Sequence, residues 1–507
     1  MKKILEGGTK KAIVIGAGFA GLSAATKLAD AGYEVTILEK NSMAGGRARV
    51  FEEQGFVFDM GPSWYWMPDV FERYFAEFGK KVSDYYALVR LDPSYKVVFG
   101  VDEAIDLPAN LDALKALFES IEEGSSNRLD AFLKESKYKY DVGIGEFVWK
   151  PSISVTEFFD YRLFFKAVSL DLFASFGKHI RKFFSHERLL QLMEFPILFL
   201  GATPKDTPAL YSLMNYAEIA LGTWYPMGGM HEIVKGMVNL AEEKGVRIQL
   251  NDAVKHIVVE DKTAKMVRTE KGEYEADVII GGADYHHIES QLLDKEDRNY
   301  SENYWKSRTM APSSLLFYLG VDRKVERLTH HNLFFDEDFD VHAQEIYESP
   351  QWPSKPLFYV SAPSKTDASV APEGSENLFV LIPIAPDLED TEEIRERYYG
   401  IVMERLEKYV GHKIRNHVVF KRSFAVNDFK EAYNSFRGNA YGLANTLMQT
   451  AFLKPSLKNK RVNNLFYTGQ LTVPGPGVPP SLISGLVVAN QVIKEFGKPI
   501  DKSVLAV

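Results

Sequence analysis

A short segment near the N-terminus constrains the fold of this chain more than any other part of it. Residues 12–15 are apolar and mostly β-branched, which is the pattern of a strand buried on both faces. A helical pattern follows and stops at Gly32. Between the two elements stand three glycines in the spacing Gly-x-Gly-x-x-Gly: Gly16, Gly18 and Gly21. This order predicts an α/β domain that opens with a buried strand, a tight turn and a helix.

The glycine spacing indicates a phosphate site at the start of that helix. Gly16 permits the tight turn, Gly18 lets the backbone approach a pyrophosphate, and Gly21 lets helix and strand pack closely. Phe19 and Ala20 lie in the first helical turn, where free N–H groups and the positive end of the dipole attract phosphate. The segment therefore predicts a dinucleotide site, and a turn that is merely rich in glycine is the alternative.

A second strand pattern, residues 34–38, leads into Glu39 and Lys40. A carboxylate at this position can accept hydrogen bonds from both hydroxyls of a ribose. The same carboxylate disfavours NADP, because it would repel a ribose 2′-phosphate. We therefore expect Glu39 and Lys40 to lie at the dinucleotide site.

Two further segments indicate which dinucleotide is bound. A second glycine pair with an arginine follows the acid, and an apolar run at 56–58 leads into a Gly-Pro-Ser segment. A domain that binds NAD needs no second glycine pair here. The pattern resembles the large flavoprotein family that contains amine oxidases and carotenoid desaturases, which implies that FAD lies along this loop. The residues expected at the cofactor are Gly45, Gly46, Arg47, Gly61, Pro62 and Ser63.

The middle of the chain carries a second set of elements. Residues 253–259 and 277–280 are strand-like, and the second run ends in a glycine pair. The resemblance implies that Val254 contacts the adenine of the cofactor and that Ala283 lies at the same site. An ordinary β-meander is the alternative.

The C-terminal region supplies a third set. A strand pattern at 464–468 leads into Gly469 and Gln470, and a loop dense in proline and glycine then leads into a helical pattern. The last residues of this loop, among them Val478 and Pro479, direct the start of the helix predicted at 481–496 at a neighbouring group. We expect that group to be the flavin edge that gains negative charge on reduction, because a helix N-terminus stabilises such charge. A tight loop-to-helix connection is the alternative.

Composition excludes several classes of protein. The chain has 507 residues and a net charge of -9 without a Lys- or Arg-rich tract, which disfavours nucleic acid as a partner. It has no cysteine, which excludes disulfides, thiolate metal sites and a cysteinyl-linked flavin. We therefore predict non-covalent FAD and no metal centre. The sequence has no signal-peptide pattern and no apolar run of about 18 residues, which fits a cytoplasmic location.

The segments between these elements lack a regular alternation of strands and helices. Residues 314–321 and 377–384 are strand-like, and we expect them in a mixed sheet beside a helical cap. The predicted fold is α/β: a discontinuous Rossmann-like FAD-binding domain of the amine oxidase type, a mixed-sheet substrate domain and a membrane-facing cap. The predicted boundaries are 1–90, 226–290 and 460–507 for the first, 91–150 and 291–459 for the second, and 151–225 for the cap.

Aromatic and basic residues concentrate in the predicted cap. Residues 151–200 hold ten phenylalanines, and residues 161–190 hold six Lys or Arg against two acids. A basic, aromatic-rich helical segment is typical of a membrane surface, where its cations meet lipid head groups. We predict peripheral association with the inner face of the membrane, and a cap helix with a solvated basic face is the alternative.

Further stretches narrow the resemblance over nearly the whole chain. They are similar to the phytoene-desaturase type of bacterial carotenoid desaturase, although Gln470 and Lys454 depart from its usual residues. The resemblance implies FAD-dependent dehydrogenation of a long polyene. It leans towards 3,4-desaturation of a 1-hydroxylated carotenoid, with phytoene desaturation as the close rival. The stretches are residues 59–68, 224–230, 438–455 and 466–479.

The catalytic residues and the oxidant are not identified by the sequence. Asp160 and Arg162 could be polar groups near the substrate, but a surface ion pair is the alternative. The oxidant that regenerates FAD is expected to be oxygen or a quinone. The alternatives are an FAD-dependent carotenoid isomerase or saturase and an amine oxidase, although the aromatic pair that an amine oxidase usually needs is not seen in the sequence. A carotenoid carrier is a further alternative, but it poorly explains a complete FAD site.

Overall fold

Two large β-sheets organise the chain, and the helices pack around them. The computed structural model describes residues 10–152, 174–198, 203–446 and 449–497. Within these residues, every helix is too short or too polar to span a bilayer. The strands are β1 Lys11–Ile15, β2 Glu34–Leu38, β3 Val50–Glu53, β4 Phe56–Asp59, β5 Leu88–Arg90, β6 Tyr95–Val98, β7 Ala104–Leu107, β8 Trp224–Pro226, β9 Arg247–Gln249, β10 Val254–Glu260, β11 Thr263–Thr269, β12 Glu273–Glu275, β13 Val278–Gly281, β14 Ser313–Val321, β15 His331–Phe334, β16 Phe358–Ser361, β17 Glu376–Ile384, β18 Val418–Phe424 and β19 Leu465–Tyr467. The α-helices are α1 Phe19–Asp30, α2 Pro68–Ala76, α3 Leu111–Ile121, α4 Ser125–Gly143, α5 Phe176–Ile180, α6 Glu187–Leu198, α7 Leu213–Tyr216, α8 His231–Glu243, α9 Tyr285–His287, α10 Glu302–Lys306, α11 Phe339–Ala343, α12 Glu392–Val410, α13 Val426–Tyr433 and α14 Val478–Phe496.

A five-stranded parallel sheet forms the first layer, in the order β19–β13–β1–β2–β9. Alternate side chains of β1 enter different cores. Ala12 and Val14 pack with helices α1, α8 and α14, whereas Ile13 and Ile15 pack with the antiparallel sheet β10–β11–β12. Burial on both faces explains the uninterrupted apolar run in the sequence, because neither set of side chains meets water.

The elements predicted for this layer are confirmed, with small shifts at their ends. The helical pattern after the glycines is α1, and Gly32 lies beyond its end with φ +95°. The strand predicted at 464–468 is the shorter β19. The helix predicted at 481–496 is α14, which begins three residues earlier at Val478, because proline is tolerated in the first turn of a helix. The run predicted at 253–259 is β10, which belongs to a three-stranded antiparallel meander rather than to the parallel sheet.

A seven-stranded mixed sheet forms the second layer, in the order β18–β14–β17–β16–β15–β6–β7. The predicted strands at 314–321 and 377–384 are β14 and β17, which pair antiparallel along their whole length. On one face, Leu315 and its alternate neighbours pack with α12. On the other face, Leu316 and its alternate neighbours join the core shared with the first layer. The mixed sheet therefore forms a wall opposite the parallel sheet.

Part of the predicted cap lies within the described residues. Phe184, one of the paired phenylalanines, is buried against Phe118 and Phe132, so it belongs to a core. Arg181 and Arg188 each form an ion pair with a glutamate. The membrane-facing position of the cap and the domain boundaries stay predictions. The residues of this segment that lie outside the described residues include Phe158, Phe159, Asp160, Arg162, Phe164 and Phe165.

Candidate functional site

A cavity of about 780 Å³ lies between the two large sheets, at the carboxyl ends of the parallel strands. Ile15 and Leu38 end β1 and β2, Gly282 follows β13, and all three line the cavity. This is the edge at which open α/β sheets bind ligands. The predicted cofactor residues that line the cavity are Gly16, Gly18, Phe19, Ala20, Glu39, Lys40, Gly45, Gly46, Arg47, Gly61, Pro62, Ser63, Val254, Ala283, Gly469, Gln470, Val478 and Pro479.

Gly21 is the predicted cofactor residue that does not line the cavity. A Cβ atom on Gly21 would lie 2.0 Å from the carbonyl oxygen of Gly16. Only glycine fits here, and the reason is the close packing of helix and strand that the motif predicts. Gly21 therefore acts on the site indirectly, because it allows the helix and the strand that form the site to pack closely.

The other glycines of the motif form the floor of the cavity. Gly16 adopts φ +99°, a left-handed conformation that favours glycine. A Cβ atom on Gly18 would meet no atom of the described residues within 4 Å, so its direction is open. A Cβ atom on Gly46 would lie 3.3 Å from the Cα of Gly18. The two glycine loops therefore touch and leave backbone exposed to an approaching phosphate.

Glu39 directly follows β2 and is buried, and its carboxylate already accepts hydrogen bonds from neighbouring residues. Its Oε2 accepts a hydrogen bond from the Ala17 N–H at 2.8 Å, and its Oε1 accepts from the backbone and side-chain N–H groups of Asn41 at 2.9 and 2.7 Å. An ionised carboxylate offers about four acceptor sites. These bonds leave about one site for a ribose hydroxyl, so a second hydroxyl would have to replace the Asn41 side chain.

Two of the cations that line the cavity are Lys40 and Arg47. Lys40 donates to the carbonyl oxygen of Glu431 at 2.6 Å. Arg47 Nη2 donates to Ser435 Oγ at 3.2 Å and to the carbonyl oxygen of Asn439 at 3.3 Å. Arg47 Nε faces no acceptor among the described residues, and burial lowers the pKa of this guanidinium. A buried guanidinium with an unused donor fits an anion such as a pyrophosphate.

The start of α14 reaches the cavity from the opposite end of the sequence. Gly477 is the N-cap of this helix with φ +109°, and Val478 and Pro479 line the cavity. Pro479 and Pro480 have no N–H, so Val478 carries the only backbone donor among the first three helical positions. In the first turn, the predicted contact between this helix and a flavin can therefore involve only the N–H group of Val478, together with the helix dipole.

The two departures from the family pattern lie in different places. Gln470 lines the cavity, and its Nε2 donates to Asn439 Oδ1 at 3.3 Å. Lys454 does not line the cavity and is buried. Its Nζ has no hydrogen-bond partner among the described residues, and burial lowers its pKa to about 7.

The rest of the cavity wall is largely apolar and was not identified from the sequence. Two of its strands were predicted as strands, but which of their faces meets the cavity depends on how the sheets pack. Other wall residues lie in stretches that carry the family resemblance, 59–68 and 438–455, without a signal for their individual roles. Wall residues missed by the sequence reasoning include Trp64, Trp66, Met67, Met214, Ser314, Leu316, Tyr359, Leu381 and Tyr441.

Comparison with known proteins identifies relatives over almost the whole chain. Residues 19–493 match the family of flavin-containing amine oxidoreductases. A carotenoid 3,4-desaturase from Haloarcula japonica is 43% identical over 485 residues, which cover 95% of this chain and 98% of that protein. A zeta-carotene-forming phytoene desaturase from Myxococcus xanthus is 32% identical and covers 96% of this chain and 94% of its own length.

The fold has relatives among solved structures as well. A crystal structure of an oxidoreductase from Methanosarcina mazei is similar with a TM-score of 0.60 and 16% identity, covering 96% of this chain and 100% of that one. Similarity at this identity concerns the fold alone. With the family match, it confirms the predicted α/β flavoprotein fold of the amine oxidase type. The chain therefore belongs to the flavin-containing amine oxidoreductases and, among them, to the carotenoid desaturases, with a flavin as its cofactor.

Proposed function

We propose that this protein is an FAD-dependent desaturase that introduces a C=C bond at C3–C4 of a 1-hydroxylated carotenoid. The observation that carries the proposal is the 43% identity to a carotenoid 3,4-desaturase over 95% of the chain. The cavity supports it, because one space joins a glycine-rich floor with cations to an apolar wall. Such a space suits a dinucleotide at one end and a hydrocarbon at the other.

FAD fits the residues at the floor of this cavity. Gly18 and the start of α1 would hold the pyrophosphate, Arg47 would add charge-assisted hydrogen bonds, and Glu39 would accept from the ribose. The N–H of Asp252 donates to the carbonyl oxygen of Glu39 at 2.8 Å, which brings the start of β10 next to the ribose position. Val254 therefore adjoins the place that the adenine would occupy. The flavin mononucleotide half of FAD, on its own, would not reach Val254.

The proposed cofactor is held without a covalent bond. The chain has no cysteine to form a thioether with the flavin. Precipitating the holoprotein with acid should release the flavin into the supernatant. Pigment that stays with the precipitate and survives proteolysis on a peptide would contradict this part of the proposal.

The residues of the apolar wall would position the polyene. A bound flavin supplies an acceptor for the hydride that leaves one carbon of the new double bond, provided that this carbon is held at about 3–3.5 Å. Substrate binding gains roughly 0.8 kcal/mol for each CH₂ group of the polyene that is buried against side chains such as Trp64, Trp66 and Met214. The other hydrogen would leave as a proton to a weak base such as water. Positive charge spread over the neighbouring π system makes that C–H group acidic, so a strong base is not required.

Anaerobic mixing of holoprotein with a detergent-solubilised 1-hydroxylated carotenoid tests the proposal. We expect one equivalent of flavin to bleach and the product to lose two hydrogens and absorb at longer wavelength. An isomerase would return oxidised flavin and a product of unchanged mass. Oxidised flavin with unaltered carotenoid would contradict the proposal.

Phytoene desaturation is the second candidate, favoured by the 32% identity to a phytoene desaturase. Phytoene in a parallel anaerobic reaction distinguishes the two substrates. If only phytoene bleaches the flavin, the protein is a phytoene desaturase.

We also propose that the protein works in the cytoplasm at the inner face of the membrane, with oxygen or a quinone as oxidant. The apolar substrate and the basic composition of residues 161–190 support this location. The protein should sediment with vesicles that contain phosphatidylglycerol, less so at high salt, and remain in solution with phosphatidylcholine alone. Failure to sediment with either vesicle would contradict it. Stopped-flow reoxidation of the reduced protein by oxygen and by a quinone would identify the oxidant.

A further inference from the structure

One wall of the cavity combines apolar side chains with a phenol hydroxyl. Leu316, Leu381 and Tyr359 lie opposite one another on the neighbouring strands β14, β17 and β16. All three line the cavity. The row therefore places one hydroxyl group on a surface that two leucines make apolar.

The hydroxyl of Tyr359 is held by several neighbours. His331 Nδ1 lies 2.6 Å from the Tyr359 hydroxyl oxygen. The hydroxyls of Ser361 and Ser63 lie close enough to lower the pKa of Tyr359 in part. Burial raises the pKa of Tyr359, so the side chain stays a neutral phenol that can both donate and accept.

His331 lies directly behind the cavity wall. Its imidazole stacks on Trp64, a wall residue, with ring centroids 4.0 Å apart and planes at 15°. Burial lowers the pKa of His331 well below its usual value, so the ring is neutral. Its Nε2 has no hydrogen-bond partner among the described residues. The ring is therefore fixed in place by stacking and by its one bond to Tyr359.

Two more hydroxyl residues line the cavity near Tyr359. Burial raises the pKa of Tyr441, and the Ser314 hydroxyl lowers it in part, which places these two hydroxyls together. Tyr441 also lies close enough to Tyr359 to raise its pKa. We call Ser63, Ser314, Tyr359 and Tyr441 the hydroxyl cluster, since all four line the same cavity.

The hydroxyl cluster adjoins the proposed cofactor position. Ser63 follows Gly61 and Pro62 directly in the chain. A Cβ atom on Gly61 would lie 2.7 Å from the carbonyl oxygen of Arg47, so this segment is pressed against the Arg47 loop. A polyene carbon seated over the flavin would therefore have hydroxyl groups close by.

The chemistry of the proposed substrate calls for polar groups at this place. In a 1-hydroxylated carotenoid the hydroxyl carbon is two bonds from C3. With bonds of about 1.5 Å, its oxygen lies within about 4 Å of C3. Any site that brings C3 and C4 to the flavin must therefore accommodate this alcohol beside the reacting carbons. A wholly apolar wall would strip water from the alcohol without replacing its hydrogen bonds.

We propose that the hydroxyl cluster, with Tyr359 positioned by His331, binds the C1 hydroxyl of the substrate and selects hydroxylated polyenes over hydrocarbons. This inference rests on the proposed desaturase function. An alcohol is both donor and acceptor, so it complements Tyr359 whichever way the hydrogen bond to His331 runs. A hydrocarbon would leave the hydroxyl cluster unpaired in a dry cavity, and that cost is the source of the selectivity.

A comparison of two substrates in separate reactions tests the inference. Wild-type holoprotein is mixed anaerobically with a 1-hydroxylated carotenoid or with the matched hydrocarbon that lacks the hydroxyl, and flavin bleaching gives the ratio of the two rate constants. We expect wild type to prefer the hydroxylated polyene by about tenfold to a hundredfold. In Tyr359→Phe and Ser63→Ala the preference should fall towards unity. Equilibrium binding, measured by quenching of flavin fluorescence, should show the same loss.

Tyr398→Phe is the matched control, because Tyr398 is buried on α12 against the opposite face of the same sheet and its hydroxyl donates to the carbonyl oxygen of Pro353 at 2.6 Å. This variant should keep the wild-type preference. Should Tyr359→Phe fail to retain flavin, Ser63→Ala and Tyr441→Phe decide the question. An unchanged preference in the flavin-loaded variants overturns the inference, and so does a wild type that turns over both polyenes equally. A wild type that turns over neither overturns the proposed function itself.

Discussion

At the scale of single residues, burial rather than charge pairing determines the protonation of groups near the cavity. Burial raises the pKa of Asp59 to about 7, although the N–H groups of Met230 and His231 donate to its carboxylate. Burial lowers the pKa of Lys454 to about 7 and that of His331 much further. Each of these groups loses hydration that its surroundings do not replace. A neutral environment of this kind suits a hydrocarbon substrate.

Glu218 provides a test of this dependence on burial. It lies in the π-helical turn Ala217–Leu221, Tyr95 donates a hydrogen bond to it, and burial raises its pKa from 4.5 to about 8. Between these two pH values the folded protein keeps a proton that the unfolded chain has released. The free energy of unfolding should therefore fall as pH rises from about 4.5 to 8, by up to about 1.4 kcal/mol for each pH unit.

Glu218→Gln should remove this part of the pH dependence. Thermal unfolding at pH 5 and pH 8 measures it, and the variant should gain Tm relative to wild type at the higher pH. The exposed Glu404, changed to Gln, is the control, for which the difference from wild type should be the same at both pH values. A Glu218→Gln variant with a pH-independent difference would show that the carboxyl group is ionised in the folded protein.

The glycines of the N-terminal motif should respond differently to substitution. Gly18 has φ -78°, and its Cβ direction is open, so Gly18→Leu should fold but fill the floor of the cavity and lose flavin. Gly21→Ala should lower Tm strongly, because the new methyl group would lie 2.0 Å from the carbonyl oxygen of Gly16. Flavin absorbance per protein and thermal unfolding measure the two effects. Full flavin occupancy in Gly18→Leu would contradict the proposed pyrophosphate position.

At the scale of secondary-structure elements, the contact between α1 and α14 joins the two ends of the site. Both helices begin at the cavity, and the Ser23 hydroxyl of α1 donates to the carbonyl oxygen of Leu482 in α14 at 2.8 Å. Gly485 permits this approach, since a Cβ atom there would lie 2.3 Å from the carbonyl oxygen of Ala20. The packing of these helices therefore determines the distance between the N-terminal and C-terminal parts of the cofactor site.

Gly485→Ala should push the two helices apart. We expect a lower Tm and weaker flavin binding, because the start of α1 would move with Ala20. Gly400→Ala is the matched control within α12, a helix of the same length, where a Cβ atom would meet nothing within 4 Å in the part of the chain that the structure describes. That change should stabilise the protein by about 0.5–1 kcal/mol. Equal effects of the two substitutions on Tm and on flavin occupancy would refute the steric account.

At the scale of the whole molecule, the cavity is assembled from distant parts of the chain. Its lining includes residues of the first fifty positions, the segment after β13 and the start of α14 on one side, and strands of the mixed sheet on the other. A ligand that contacts all of these segments binds the folded state alone. Ligand binding should therefore stabilise the entire fold by mass action.

Full-length apoprotein should show this stabilisation selectively. FAD at about 100 times its Kd should add roughly 2.7 kcal/mol to the free energy of unfolding. FMN at equal concentration should raise Tm less, because it lacks the adenosine half that would contact Glu39 and Val254. Glu39→Ala should reduce the difference between the two flavins. Equal shifts for FAD and FMN in wild type would remove the adenine end from the proposed site.

Local chemistry in the sequence determined the α/β start, the glycine turn, the acid after β2 and the family. Each of these depends on residues close together in the chain: an apolar run that must be buried on both faces, a positive φ at Gly16 and a helix start without side-chain caps. Tertiary structure alone decided which face of the mixed sheet meets the cavity. Leu316 and Leu315 are equally apolar, yet they face opposite cores. Tertiary structure also decided that Phe184 packs in a core and that Tyr359 meets His331. These contacts join residues that are far apart in the sequence, and no local pattern shows which strands become neighbours.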